Sequence, residues 1–244
     1  MAETWLPFLI KRPGPPGKLG YSGVTHRELS EVEGEVKHST EGSLQAAFGV
    51  LDDPNRQSSW HGTLDTDGTG YQHYPLEAIC WANGLAGDRR QDTSLIGNLT
   101  LLAWEHVDRI GASMLTTLTP AQVATTTRIT EAVRALCPSV GAAPPTLRKN
   151  LWEHNWLSAT ACPSGLIPWT IIITALTEPE VNMDLNLLEV TGVSTFVVGV
   201  LGKRRLRTDL EVATYRKMGY GVIVVTQTEA DSIPDAGLSG RLSV

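Results

Sequence analysis

The stretch TPAQVATTTRITEAVRALC, residues 119 to 137, constrains the fold more than any other. Thr119 offers a side-chain oxygen to the unpaired N–H groups that open a helix. Pro120 suits the first helical position, where it has no N–H to lose. The pattern therefore predicts a helix over 119–137. Around it the chain alternates. GEVKHST, 34–40, ends a predicted short strand, and SLQAAFGVLDD, 43–53, sets Leu44, Ala47, Phe48 and Leu51 on one helical face. SSWHGTLDTDGTGYQHYPLE, 58–77, reads as a hairpin with Asp67-Gly68 in its turn. LIGNLTLLAWEHVD, 95–108, reads as a buried strand, GAAPPT, 141–146, as a loop, and IPWTIIITAL, 167–176, as a last helix opened by Pro168. Strands alternating with helices predict an α/β layered fold.

The flanks read differently. Residues 1–30 contain KRPGPPGKLGYSG, too rich in Pro and Gly to be regular, and are expected to form an extended N-terminal arm. TEPEVNMDL, 177–185, is a candidate linker. Beyond it TFVVGVLGKRRLR reads as strand, DLEVATYRKMG as a short helix and YGVIVVTQ as strand, so 186–244 is expected to be a small α+β C-terminal module. Its basic run GKRRLRT, 202–208, is either a solvated strand end or a patch attracted to anionic polymers.

Bulk properties exclude several roles. With 244 residues, 41% of them hydrophobic, the chain can bury a substantial core. A net charge of −6 argues against nucleic acid or an anionic membrane as partner of the whole chain. Three cysteines, Cys80, Cys137 and Cys162, are too few and odd for a disulfide framework, which points to folding in a reducing compartment. The N-terminus, with Glu3 and only a short apolar run, is a poor signal peptide. The apolar run 170–176 is too short to span a bilayer.

One irregular stretch carries chemistry. EHNWLSATACPSG, 153–165, sets His154 and Cys162 eight residues apart. Either both are ordinary buried groups, or both bind a metal. Zinc is held by His nitrogen and Cys sulfur in a tetrahedron, and a catalytic site keeps one position for water. His38 is the best third ligand, because it closes a predicted strand and precedes the small residues STEG. His26, His61, His73 and His106 are the other histidines. Spacing alone does not settle the metal reading.

VKHSTEG, SSWH, DGTGYQHYP, WANG, AWEH and HNWLSATACPSG, in that order over about 34–176, together resemble the type 2 N-acetylmuramoyl-L-alanine amidase family. That family includes peptidoglycan recognition proteins and many phage endolysins. The arm and the WLPF start also look like endolysins of phages that infect Gram-positive hosts. The resemblance implies a central mixed β-sheet flanked by helices, a zinc amidase catalytic domain over 31–178 and a Zn2+ ion in a surface groove. It places His38, His154 and Cys162 as the metal ligands. The reaction implied is hydrolysis of the amide between N-acetylmuramic acid and L-alanine in peptidoglycan.

By the same resemblance Glu105 is the general acid/base; the alternative is a strand-end carboxylate paired with Arg109. Thr160 matches a position where family members place Lys or Thr, and its hydroxyl is the candidate oxyanion donor. Where several members carry a Tyr, this chain has Trp60, which has no acid to offer and is expected to pack or stack on sugar. His61, Trp81 and Asn83 are expected substrate contacts. Cys80 and Cys137 are expected core thiols.

Three other readings compete with a phage endolysin: a non-catalytic peptidoglycan-binding protein, a tail-associated wall-binding component, and a recycling amidase inside a cell. The presence of Cys162 favours the enzyme over the first. No fibrous or repetitive region supports the second, and the arm and C-terminal segment count against the third. The expected protein is a monomer that accumulates in the host cytoplasm and reaches the wall through a separate holin-type protein. Its C-terminal module is a candidate wall binder by position alone.

Overall fold

The structure, a computed structural model, describes residues 3–84 and 97–177, together with the backbone of strand segments 186–190, 194–199, 202–205 and 222–225. The chain divides into two compact units, Met1–Glu178 and Pro179–Val244.

In the first unit the elements run β1 (Ile10–Lys11), β2 (Gly34–Ser39), α1 (Leu44–Asp52), β3 (Gly62–Leu64), β4 (Gly70–Gln72), a single turn α2 (Gly97–Thr100) and β5 (Leu101–His106). A small hairpin, β6 (Arg109–Ile110) and β7 (Ser113–Met114), follows. Then come α3 (Pro120–Leu136), the turn α4 (Pro138–Gly141), β8 (Leu151–Glu153), the turn α5 (His154–Leu157) and α6 (Trp169–Thr177). The main sheet has the order β1-β4-β3-β5-β2-β8. Only β3 and β4 pair antiparallel; the other four contacts are parallel. The expected mixed sheet with flanking helices is therefore present.

α3 starts as its sequence dictates. Thr119 accepts from the Gln122 N–H at 3.1 Å and the Gln122 side chain accepts from the Thr119 N–H at 3.0 Å, a reciprocal capping box. Its apolar side packs on one face of the sheet, where Leu64, Leu102, Trp104, Ile129, Val133 and Val140 are buried together. α1 covers part of the other face, with Ala47 and Leu51 against Trp60, Ala78 and Ala103. The β3–β4 turn uses Gly68 at φ +86°, a left-handed conformation that suits glycine.

Two expectations change. Residues 95 and 96 of the strand foreseen over 95–108 lie outside the described residues, and among 97–108 the strand is Leu101–His106. Residues 97–100 form a helical turn instead, because the Asn98 N–H reaches back to the Gly84 carbonyl at 2.6 Å and a Cβ on Gly97 would collide with that carbonyl. The N-terminal arm is extended but packed. Leu6 and Leu9 enter the α3-side core, β1 pairs with β4, and Lys18, only 3% exposed, donates from Nζ to the Val50 and Leu51 carbonyls.

The second unit contains a four-stranded sheet in the order β11-β10-β9-β12, built from β9 (Asn186–Val190), β10 (Ser194–Gly199), β11 (Gly202–Arg205) and β12 (Val222–Val225). The single strand foreseen over TFVVGVLGKRRLR is an antiparallel pair, β10 and β11. β9 was not foreseen. The helix expected over 209–219, the linker residues 178–185 and residues 206–208 of the basic run lie outside the described residues. Among the described residues no helix is long and apolar enough to cross a membrane.

Candidate functional site

Alternation along the strands decides which side chains meet. On β2, Lys37 turns to α3, where Nζ donates to Thr130 Oγ1 at 3.2 Å and lies 2.9 Å from Glu35 Oε1. His38 therefore turns to the opposite face. On β5, Leu102, Trp104 and His106 take the α3 face, and His106 Nε2 lies 3.0 Å from Thr126 Oγ1. Glu105 takes the other. Parallel pairing of β2 with β5 then sets His38 and Glu105 in register on one face.

β8 delivers the second histidine. Glu153 Oε1 accepts from Trp169 Nε1 at 2.6 Å, which ties the end of β8 to α6. The next residue, His154, leaves the sheet in a one-turn helix, and its ring lies 4.4 Å from that of His38. The following loop returns to the same place: Asn155 N–H donates to the Cys162 carbonyl at 2.8 Å, and Cys162 Sγ accepts from the Ser39 N–H at 3.1 Å. This closure accounts for the eight-residue gap between His154 and Cys162.

The ligating atoms of His38, His154 and Cys162 lie within 4.8 Å of one another, and no other such group of three occurs among the described residues. Burial lowers the basicity of both imidazoles, with His154 as the second cause at His38, so both present lone pairs at neutral pH. Burial and then the neighbouring Glu105 push the Cys162 thiol up to about 12, against which the Ser39 N–H works. Two imidazoles and a thiol held this close fit zinc, which favours nitrogen and sulfur, and three protein ligands are the number found in catalytic zinc sites. A divalent cation would also offset the cost of a buried thiolate.

Glu105 stands beside this cluster. Its side chain is 12% exposed, and burial first, then Asp108 and Glu41, raise its carboxyl to about 8. Oε2 is buried without a hydrogen-bond partner. His38 Nδ1 approaches Oε1 at 3.9 Å, but burial favours the neutral form of both groups, so this is not a formed ion pair. Arg109, the alternative partner, instead donates to Met114 Sδ.

The cluster opens into a groove of about 530 Å³ lined by Thr40, Glu41, Trp60, Trp81, Glu105 and Thr160 among others, a size suited to a small ligand. Trp60 and Trp81 direct their indole N–H groups into the protein, to Thr63 Oγ1 at 2.8 Å and the Gly20 carbonyl at 2.6 Å. Thr160 Oγ1 accepts from the Cys162 N–H at 3.2 Å. Glu41 sits at the rim with φ +50°, its loop held by Asp108 Oδ1 accepting from the Gly42 N–H at 2.9 Å.

Two expected substrate contacts lie elsewhere. His61 is fully buried, with Nε2 donating to the Ala78 carbonyl at 2.9 Å and Nδ1 accepting from the Ala103 N–H at 3.0 Å, so neither nitrogen faces the groove. Asn83, 1% exposed, meets His38 Nε2 through Oδ1 at 2.8 Å rather than the groove. Cys80 and Cys137 are buried core thiols. Sequence reasoning missed the groove wall supplied by Ala46, Ala47 and Val50 of α1. The small residues in SLQAAFGV were the available signal, since a helix lining a cleft needs short side chains there.

Comparisons place the fold. The selenomethionine derivative of AmpD superposes with a TM-score of 0.51 at 18% identity, covering 72% of this chain and 99% of that one. PlyL gives 0.48 at 16%, covering 70% and 98%. The endolysin amidase LysCS from Clostridium intestinale URNW gives 0.45 at 14%, covering 69% and 95%. No curated protein matches by sequence. The family model described as N-acetylmuramoyl-L-alanine amidase matches residues 28–165, more than half of the chain and all three clustered donors, so this chain belongs to the N-acetylmuramoyl-L-alanine amidase family.

Proposed function

We propose that the protein is a zinc-dependent N-acetylmuramoyl-L-alanine amidase that cleaves peptidoglycan as a phage endolysin. The observation that carries this reading is the convergence of His38, His154 and Cys162 beside the buried carboxyl of Glu105 in an open groove. His38, His154 and Cys162 would hold the metal, which supplies an acidified water and a polarised scissile carbonyl. Glu105 is raised to about 8 by burial, and a cation held beside it would favour its carboxylate, which would take the proton of the attacking water and return it to the leaving L-alanine nitrogen. Thr160, oriented by Cys162, donates to the developing oxyanion. Trp81, half-buried with its indole N–H engaged, offers carbon surface to a sugar ring, whereas Trp60, 4% exposed, packs in the α1-side core and supports the groove from beneath.

The endolysin setting is supported by the Pro-rich arm and by the second unit, Pro179–Val244, following the amidase unit. In this reading the protein is made in the host cytoplasm, crosses the membrane through a separate holin-type protein, and uses its C-terminal unit on the wall. Digestion of purified Gram-positive sacculi, with and without a zinc chelator, tests the activity. New L-alanine amino groups without new reducing sugars, lost on chelation, are the expected result. Pelleting with sacculi but no new ends would overturn the enzymatic reading. Unchanged sacculus binding after deletion of 179–244 would remove the wall-binding role of that unit.

A further inference from the structure

The orientation of the Asn83 amide is fixed by its neighbours. The Leu101 carbonyl only accepts, so the amide atom 3.1 Å from it is the Nδ2 donor. The Asn83 backbone is anchored as well, its N–H donating to Asn98 Oδ1 at 2.7 Å. Oδ1 is thereby turned to His38 Nε2, 2.8 Å away. An amide oxygen only accepts, so Nε2 carries the imidazole hydrogen. A neutral imidazole has one N–H, which makes Nδ1 the lone-pair nitrogen. Nδ1 is also the nitrogen on the Glu105 side of the ring. Asn83 is too buried to touch substrate.

We propose that Asn83 is a positioning residue for the metal centre: its Oδ1 holds His38 as the Nε2–H tautomer, presents Nδ1 to the ion and so sets metal affinity. The inference rests on the metal reading above. Outer partners of this kind raise ligand basicity and fix ring orientation. Here the chain of control runs from the turn Gly97–Thr100 and the start of β5, through Asn83, to the end of β2.

Two measurements test it. The first is long-range 1H–15N correlation NMR on labelled, zinc-free, full-length protein, which reads the His38 tautomer directly. Hydrogen on Nε2 is expected; hydrogen on Nδ1 overturns the proposal. The second is zinc affinity by competition with a chromophoric chelator for wild type, Asn83→Ala and Asn83→Asp. The Ala variant removes both the acceptor for His38 and the donor to Leu101, whereas the Asp variant keeps the acceptor. The expectation is a loss of about 10- to 100-fold for Ala and a value within about threefold of wild type for Asp. Equal losses in both variants, or none in Ala, overturn the positioning role. A wild type that binds no zinc overturns the metal reading and this inference together, so the two failures are distinguishable. The NMR measurement uses wild-type protein and stays decisive if a variant does not fold.

Discussion

His38 and Glu105 occupy facing positions on neighbouring parallel strands, and their side chains leave the sheet on the same side, 3.9 Å apart at Nδ1 and Oε1. A rigid sheet thus fixes the distance between the proposed metal ligand and the proposed base. Glu105→Gln keeps the shape and removes the titratable group. The expected result is a fall in kcat of about 10²- to 10⁴-fold on sacculi, with zinc content unchanged. The melting temperature should hold or rise, because Glu105 Oε2 has no hydrogen-bond partner to lose. A kcat within a few-fold of wild type would remove Glu105 from the proton transfer.

Cys162→Ser tests the soft ligand. Sγ contacts only the backbone of Ser39 in its hydrogen bonding, so the fold should tolerate the change. A serine oxygen is a poorer zinc ligand than a thiolate, and zinc retained after dialysis should fall well below one equivalent. Cys80→Ser is the control: that thiol is buried in the α1-side core and is not one of the three clustered donors, so its loss should change stability but not zinc content.

The legible and illegible parts of the molecule separate by physical cause. α3 was readable because a capping box and an N-terminal proline are local signals. The β3–β4 hairpin was readable for the same reason, through its Asp-Gly turn. The short loop brought His154 and Cys162 to notice as a pair, but their reading as ligands, together with His38, rested on the family resemblance of the surrounding motifs. Asn83 was misplaced because its partner is 45 positions earlier in sequence and is reached through a fold contact that no local pattern encodes. His61 was misplaced for a related reason. A histidine in a polar hairpin suggests exposure, but both ring nitrogens find backbone partners at 61-to-78 and 61-to-103 contacts inside the sheet.

That burial gives His61 a measurable signature. Its pKa is lowered to about 3, first by burial and then by Arg27. Above the unfolded value near 6.5 both states are neutral and the stabilisation is fully present. As pH falls, the unfolded chain takes up the proton and the folded one does not, so stability drops until the pH reaches the folded value. His61→Gln cannot titrate. Its unfolding free energy should therefore depend less steeply on pH, by about 1.4 kcal/mol per unit between about pH 6 and 4. Glu105 and Glu153, whose raised carboxyls act in the opposite direction, are common to both proteins and cancel in the difference. Urea titrations at several pH values give the comparison. KM on sacculi should be unchanged, and a large rise in KM would return His61 to the groove.

The arm provides a prediction that its composition would not. Pro- and Gly-rich termini are ordinarily dispensable, yet Leu6 is 2% exposed within the α3-side core, while Ile10, four residues on, is 51% exposed. The same segment carries the Arg12 carbonyl, which accepts from His73 Nδ1 at 2.9 Å, and the Gly20 carbonyl, which accepts from Trp81 of the groove wall. Leu6→Ala removes buried methyl groups and leaves a cavity, at a cost of about 2–5 kcal/mol. Ile10→Ala should cost no more than about 0.5 kcal/mol, as expected for an exposed side chain. Chemical denaturation of the two variants decides the point. A Leu6→Ala loss as small as that of Ile10→Ala would mean that the arm rests on the fold without belonging to its core, and the groove wall would then stand without it.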